Sequence, residues 1–333
     1  MSTLTDKELR ATLYFAVGVA SESRYDAYRL VVAGDKASTP TLEPADSSGY
    51  SIGTIQTDLG QHYQPNDPNG ENVPRNLINA YQDWARAHQP QSVLTGDQAT
   101  RATADLGRDG DAIRDDGGRP LDADVKSRLD AFLASDAGIT WVHDRDVAQI
   151  DKLMDRAIAP LQRSNLYQNA SLDDQVKLAA MVGKAYNQNE VRAAPMIRKL
   201  EGNQYDSVAD VSAAIDGFLP KRSGRNDYFE LGRDDALRGA AVVNALRNAN
   251  RESPLSTAWT SVLADPLVNP TALNSPPGNQ PDSRTGARTT AGVGAIAASR
   301  QRNRPINGAL ISTERGEPQR GRFHPSVDGA RLA

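Results

Sequence analysis

Apolar residues recur at Leu9, Leu13, Ala16, Val17 and Ala20, the three- and four-residue spacing of a buried helix face, which predicts a helix over 5–20. Thr5, with Glu8 three positions on, has the spacing of a capping box and marks its start. A short helix is expected over 25–32, ended by Gly34 and the Ser/Thr/Pro-rich run 37–48. Tyr50, Ile52 and Ile55 stand in a stretch too rich in glycine and serine for helix, so a strand or hairpin is expected there. Residues 62–74, with three prolines and three asparagines, read as a loop.

From residue 75 the helical period dominates. Helices are expected over 75–88, 96–106, 122–134, 138–161, 171–188, 191–200, 207–218, 229–250 and 255–263, with breaks at 107–119 and 220–227. Asp122, Ser171 and Ser207 stand where N-caps are needed. No unit of about 20–50 residues repeats, which excludes a solenoid. Beyond about residue 268 prolines crowd together and the apolar period stops, so the segment cannot bury enough surface to offset its ordering entropy. The expected fold is mostly α (α+β): a helical body over 1–268 with one small β-hairpin element, and a disordered tail over 269–333.

Charge sharpens that division. From residue 270 onward nine arginines face four acids, a net +5, whereas the rest of the chain holds 29 basic and 38 acidic residues, a net −9. An acidic body lacks the positive field that phosphate backbones require, so nucleic acid is not an expected partner. The chain has no cysteine, which excludes disulfides, thiol nucleophiles and thiolate metal sites. The four histidines, His62, His88, His143 and His324, are scattered, and no metal or other cofactor is expected. Asp105 to Asp116 is acid- and glycine-rich but lacks the spaced acids and terminal Glu of a calcium loop. No Gly-rich phosphate or dinucleotide fingerprint is present. The start, Met1-Ser2-Thr3-Leu4-Thr5-Asp6-Lys7-Glu8, carries no basic region, and the apolar run after it is too short for a signal peptide or a membrane span. Synthesis in the cytoplasm is expected, with delivery by another route if the protein works elsewhere.

The chemistry concentrates in the first sixty residues. The run Leu13-Tyr14-Phe15-Ala16-Val17-Gly18-Val19-Ala20 leads to a single acid, Glu22. A carboxyl seated in apolar surroundings holds its proton toward neutral pH and can serve as a general acid. The plainer reading is a surface acid at a helix end, paired with Arg24 or Arg29. Downstream, Ser51 and Gly53 to Gln56 offer a close backbone approach and an amide that can both donate and accept. Further on, Tyr186 and Asn187 close an apolar helix.

Glu22-Ser23, Gly53-x-x-Gln56 and Ala185-Tyr186-Asn187 resemble, in that order, the motifs of lytic transglycosylases and goose-type lysozymes, members of the lysozyme-like superfamily. The resemblance covers roughly residues 10–60 and 170–190. It implies a lysozyme-like fold that cleaves the glycan strand of peptidoglycan, with Glu22 as catalytic acid. Ser51, Gln56, Tyr186 and Asn187 would contact the substrate, and Tyr186 would also lie near the acid and help orient it. Gln188-Asn189 replace the family's usual Ala-Gly after Tyr-Asn, and about 130 residues separate Gln56 from Tyr186, which requires a long helical insertion near 75–165. Asp26, Asp35, Asp46 and Asp58 are candidates for a second carboxylate. Asp46, in the loop leading into the hairpin, is the one carried forward as catalytic. Without a second acid, the substrate's own acetamido group would assist, giving an anhydro sugar. The expected setting is a phage endolysin or an antibacterial effector acting in the periplasm or cell wall, where an immunity protein that occludes the cleft would be the natural inhibitor partner. The competing readings are a non-catalytic helical interaction or structural protein, and a chitosanase- or chitinase-like glycosidase on the same fold.

Overall fold

The computed structural model describes residues 2–22, 26–35, 39–45, 47–65, 71–218 and 228–265. Ser23, Asp46, the boundary at 268 and the 269–333 tail lie outside the described residues.

Helix α1 (Asp6–Thr12) opens on the expected capping box, the Thr5 hydroxyl accepting from the Glu8 amide at 3.3 Å and the Glu8 carboxylate from the Thr5 amide at 2.9 Å. The chain then widens into a π-helix, Leu13–Glu22, where an α-helix ending at residue 20 was expected. Packing sets this register. Gly183 stands against Leu13 and Val17 on one side, and Gly239 against Ala16 and Ala20 on the other.

The helix expected over 25–32 is replaced, among the described residues, by a turn and strand β1 (Val31–Val32). Two adjacent β-branched residues favour the strand, and the Leu30 amide donates to Asp130 Oδ1 at 2.8 Å instead of to a helical carbonyl. β1 pairs antiparallel with β2 (Tyr50–Ile52), and β2 with β3 (Thr57–Asp58), Ser51 facing Val31 on one side and Asp58 on the other. The hairpin expected near residues 50–55 is therefore the β2–β3 pair.

Helix α2 (Val73–His88) is capped by the Asn72 side chain, and α3 (Gly96–Leu106) by Thr95. The break expected at 107–119 contains α4 (Gly110–Asp115), opened by the Asp109 side chain on the Ala112 amide and followed by Gly117 and Gly118 in the left-handed region. Then come α5 (Ala123–Leu133) and α6 (Asp136–Leu153). A π-turn, Met154–Ile158, leads into α7 (Ala159–Arg163) and α8 (Asn165–Asn169). The remaining helices are α9 (Leu172–Gln188), α10 (Glu190–Glu201), α11 (Val208–Asp216), α12 (Tyr228–Arg247) and α13 (Pro254–Ala264), close to the expected spans. The protein is mostly helical with one small antiparallel sheet, and no helix among the described residues is long and apolar enough to cross a membrane.

Two apolar cores form. One gathers α1, the π-helix, the second half of α6 and α9 to α13; the other gathers the sheet, α2, α3, α5 and the first half of α6. Helix α6 serves both, with Val142 in the second core and Ile150 and Leu153 in the first. The hairpin straddles the same seam: Ile52 and Leu59 pack in one core and Ile55 in the other.

Candidate active site

The π-helix determines where its last residue points. A π register makes residues i and i+5 neighbours along the axis, as an α register does for i and i+4. Val17 lies against α9, and Glu22, five residues on, follows it to the same side. In an α-helix the same five residues would turn the side chain about 140° away.

Helix α9 meets the acid with two donors three residues apart, on one face. Lys184 Nζ donates to Glu22 Oε1 at 2.5 Å, and Asn187 Nδ2 donates to the same oxygen at 3.0 Å. The Lys184 side chain is 3% exposed and that of Glu22 is 16% exposed. Burying an ammonium is costly unless it is paired, and Glu22 provides the partner. Asn187 Nδ2 also donates to the Ile55 carbonyl at 3.2 Å, while its Oδ1 accepts from Gln149 Nε2 of α6 at 3.3 Å.

Ile55 belongs to the turn between β2 and β3. Gly53 (φ +86°) and Gln56 (φ +61°) both sit in the left-handed region. A side chain at Gly53 would be strained at this φ, and its Cβ would also stand 2.6 Å from Asp146 Oδ1. Gly18 lets the turn lie directly on the π-helix, where a Cβ would meet Thr54 Cγ2 at 2.7 Å. The Gly53 amide donates to the Ala27 carbonyl at 2.8 Å, tying the turn to the chain that follows Glu22. Asp146, fully buried on α6, accepts from the Thr54 amide at 3.0 Å and the Ile55 amide at 3.2 Å. Burial pushes its carboxyl up to about 6, outweighing the pull of those two amides in the other direction. Beside it, the Tyr14 hydroxyl lies 3.4 Å from Thr54 Oγ1, and the Tyr28 hydroxyl bonds His143 Nε2 at 2.9 Å. Burial lowers the basicity of His143 and holds Tyr28 up at about 12.

The structure thus brings together Glu22, Asn187 and the Gly53–Gln56 turn. Gln56 itself turns inward, Nε2 donating to the Gly53 carbonyl at 3.3 Å, and closes its own turn. Ser51 is buried in the middle of the sheet, away from the Glu22 cluster. Tyr186 lies on another face of α9, where it hydrogen-bonds Glu190, its phenol raised to about 12 by burial; of the Tyr-Asn pair, Asn187 reaches the acid. Arg29, the other described candidate partner for Glu22, pairs instead with Asp26 at 2.6 Å. Asp26 lies beyond the π-helix, so it shares no helix face with Glu22. Asp58 is a structural acid, accepting from the amides of Gly49, Gly60 and Gln61.

Two members of the site escaped sequence reasoning. Lys184 left a usable signal, a lone charge inside the apolar run from Ala179 to Tyr186, which has to be paired if buried. Asp146 left a weaker one: its four-residue spacing from Val142 and Ile150 puts it on the apolar stripe of α6, but its neighbours Asp144 and Arg145 make the stretch read as solvated. No family model matches this chain, and no curated protein or solved structure shows significant similarity to it.

Proposed function

We propose that the protein cleaves the glycan strand of peptidoglycan, with Glu22 as general acid. One observation carries the reading: the Asn187 amide joins the Glu22 carboxylate to the Ile55 carbonyl, so three short motifs spread over about half the chain converge on a single side chain. An acid at a helix end beside a β-turn is what the resemblance to lysozyme-like enzymes implies, and this convergence supports that reading. Oε1 is held by Lys184 and Asn187, and Oε2 accepts no hydrogen bond from the described residues. Acid catalysis requires a proton on Oε2, so the reactive state is the one in which Lys184 hydrogen-bonds a neutral carboxyl, and the ion pair forms as the proton leaves. As the C1–O bond breaks, its electron pair stays on the leaving oxygen, which takes the Glu22 proton. The carboxylate left behind is stabilised by the Lys184 ammonium and the Asn187 N–H.

The transglycosylase outcome needs one carboxyl group and hydrolysis two. Asp46, carried forward as the second, lies outside the described residues, and the one-acid route is the one proposed. The substrate's C6 hydroxyl closes on C1 and returns its proton to Glu22, giving an anhydro end. The setting proposed is an endolysin or a delivered antibacterial effector.

A second reading rests on the Lys184–Glu22 contact itself, which is also what a non-catalytic helical scaffold would use to seat a buried lysine. Zymography on purified peptidoglycan separates the two. Glu22→Gln keeps an oxygen acceptor for Lys184 and Asn187 but removes the counter-charge of the buried ammonium, so the melting temperature should fall. The variant, shown by circular dichroism to be folded at the assay temperature, should lose about 100-fold or more of its clearing. Equal clearing by the variant, or none by the wild type, excludes the catalytic reading. Mass spectrometry of the fragments should show anhydro ends.

A further inference from the structure

Asp146 is the one fully buried carboxyl among the described residues, and the proposed chemistry makes no direct use of it. Its two oxygens are aimed at one target, the Thr54 and Ile55 amides, at 3.0 and 3.2 Å. Gly53 leaves no space between turn and carboxylate. The Ile55 peptide held in this way presents its carbonyl to Asn187 Nδ2, and the same nitrogen holds Glu22 Oε1. From the other side, Gln149, one turn further along α6, takes the Asn187 carbonyl oxygen. Helix α6 therefore grips Asn187 twice, once directly and once through the turn.

We propose that Asp146 is the positioning residue of the Glu22 centre, and that its protonation releases the Gly53–Gln56 turn and with it the Asn187–Glu22 contact. An ionised carboxylate accepts from both amides at once. A protonated one carries a hydrogen on one oxygen, which the Thr54 hydroxyl can accept, and that oxygen then holds its amide more weakly. The groups facing Asp146 leave this ionisation to it. They are Thr54 from the turn, Tyr14 from the π-helix, Tyr28 from the segment after Glu22, and His143 one turn back on α6. Both phenols are held well above the neutral range, and Asp265 acts on Tyr14, Tyr28 and His143. The Glu22–Lys184 pair lies beyond the turn. The site would then work above the Asp146 midpoint and lose geometry below it, a dependence built into the fold.

The inference rests on Glu22 being the acid, but its test does not depend on activity alone. In the isotope-labelled full chain, the Thr54 and Ile55 backbone amides and the Asn187 side-chain amide should shift together with pH, with a common midpoint near 6. Asp146→Asn should abolish that shared titration. In the glycan assay it should lower kcat by about 10-fold or more at neutral pH, with KM changed by less than about twofold, and remove the acid limb of the wild-type profile. Asn187 resonances that stay fixed while Thr54 and Ile55 titrate would reduce Asp146 to a structural acid and overturn the proposal. So would an Asp146→Asn variant that keeps the wild-type profile. If the variant does not fold, the wild-type titration still decides. If Glu22→Gln proves fully active, the glycan-cleaving reading fails, and the resonances alone judge the coupling.

Discussion

Asp146 shows how far one side chain can oppose the stability of the fold it organises. Its carboxyl is pushed from the ordinary 3.8 up to about 6 by burial, so between those values the folded chain binds a proton that the unfolded chain has released. Stability from this group is complete below about pH 4, falls as pH rises, and is lost above about pH 6, a total of roughly 3 kcal/mol. Asp146→Asn does not titrate, so the melting temperature of the wild type minus that of the variant should fall between pH 4 and 6 and then level off. A difference that rises over that range would contradict the burial argument. Glu22 and Lys184 illustrate the complementary case, in which two buried charges satisfy each other. Of these residues, Glu22 and Asn187 stand in motifs that the sequence offers, but it was Tyr186 that was expected beside the acid and Asn187 that the structure puts there. Asp146 was not, because a carboxylate serving backbone amides has no fixed sequence partner to announce it.

Among elements, α2, α3, α5, α9, α10 and α11 were read almost to their ends, since each carries a side-chain cap, whereas the helix expected over 138–161 is interrupted by the π-turn between α6 and α7. The misses share a cause: tertiary contacts decided between alternatives that the local sequence leaves open. Leu13 to Ala20 is apolar on nearly every side, so no period in it can distinguish an α from a π register. Residues 26–32 form a turn and a strand because β2 and Asp130 are there to pair with them. Helix α4 is a single short piece between glycines. The π-helix is held by close backbone approach: a Cβ on Gly239 would stand 2.5 Å from Ala16 Cα, a backbone atom that cannot swing aside. Gly239→Val should therefore destabilise the protein by about 1–3 kcal/mol by overpacking, measurable by urea denaturation, with loss of function in step because the helix that moves carries Glu22. A neutral result would mean that α12 and the π-helix are less tightly seated.

At the scale of the molecule, two cores share one helix, and the candidate site lies where they meet. Phe132 is buried in the core built around the sheet, and Phe132→Ala should cost about 3–5 kcal/mol. Hydrogen exchange followed by mass spectrometry should then show faster exchange over 71–142 well before 172–201, reflecting separate cooperative blocks. Uniform acceleration across both would indicate one block. The seam was not legible beforehand, because the sequence shows where helices are but not which of them share an interior. One consequence of the π-helix reaches beyond its geometry, to the kinds of change this protein can absorb. The aim of Glu22 depends on how many residues separate it from Val17, more than on which residues they are. Removing Val19, which is 38% exposed, would let an ordinary α ladder keep Val17 and Glu22 as neighbours, whereas adding a residue there would turn the acid off α9. Chain length in this one stretch is thus a coordinate of the chemistry, shorter being tolerable and longer not.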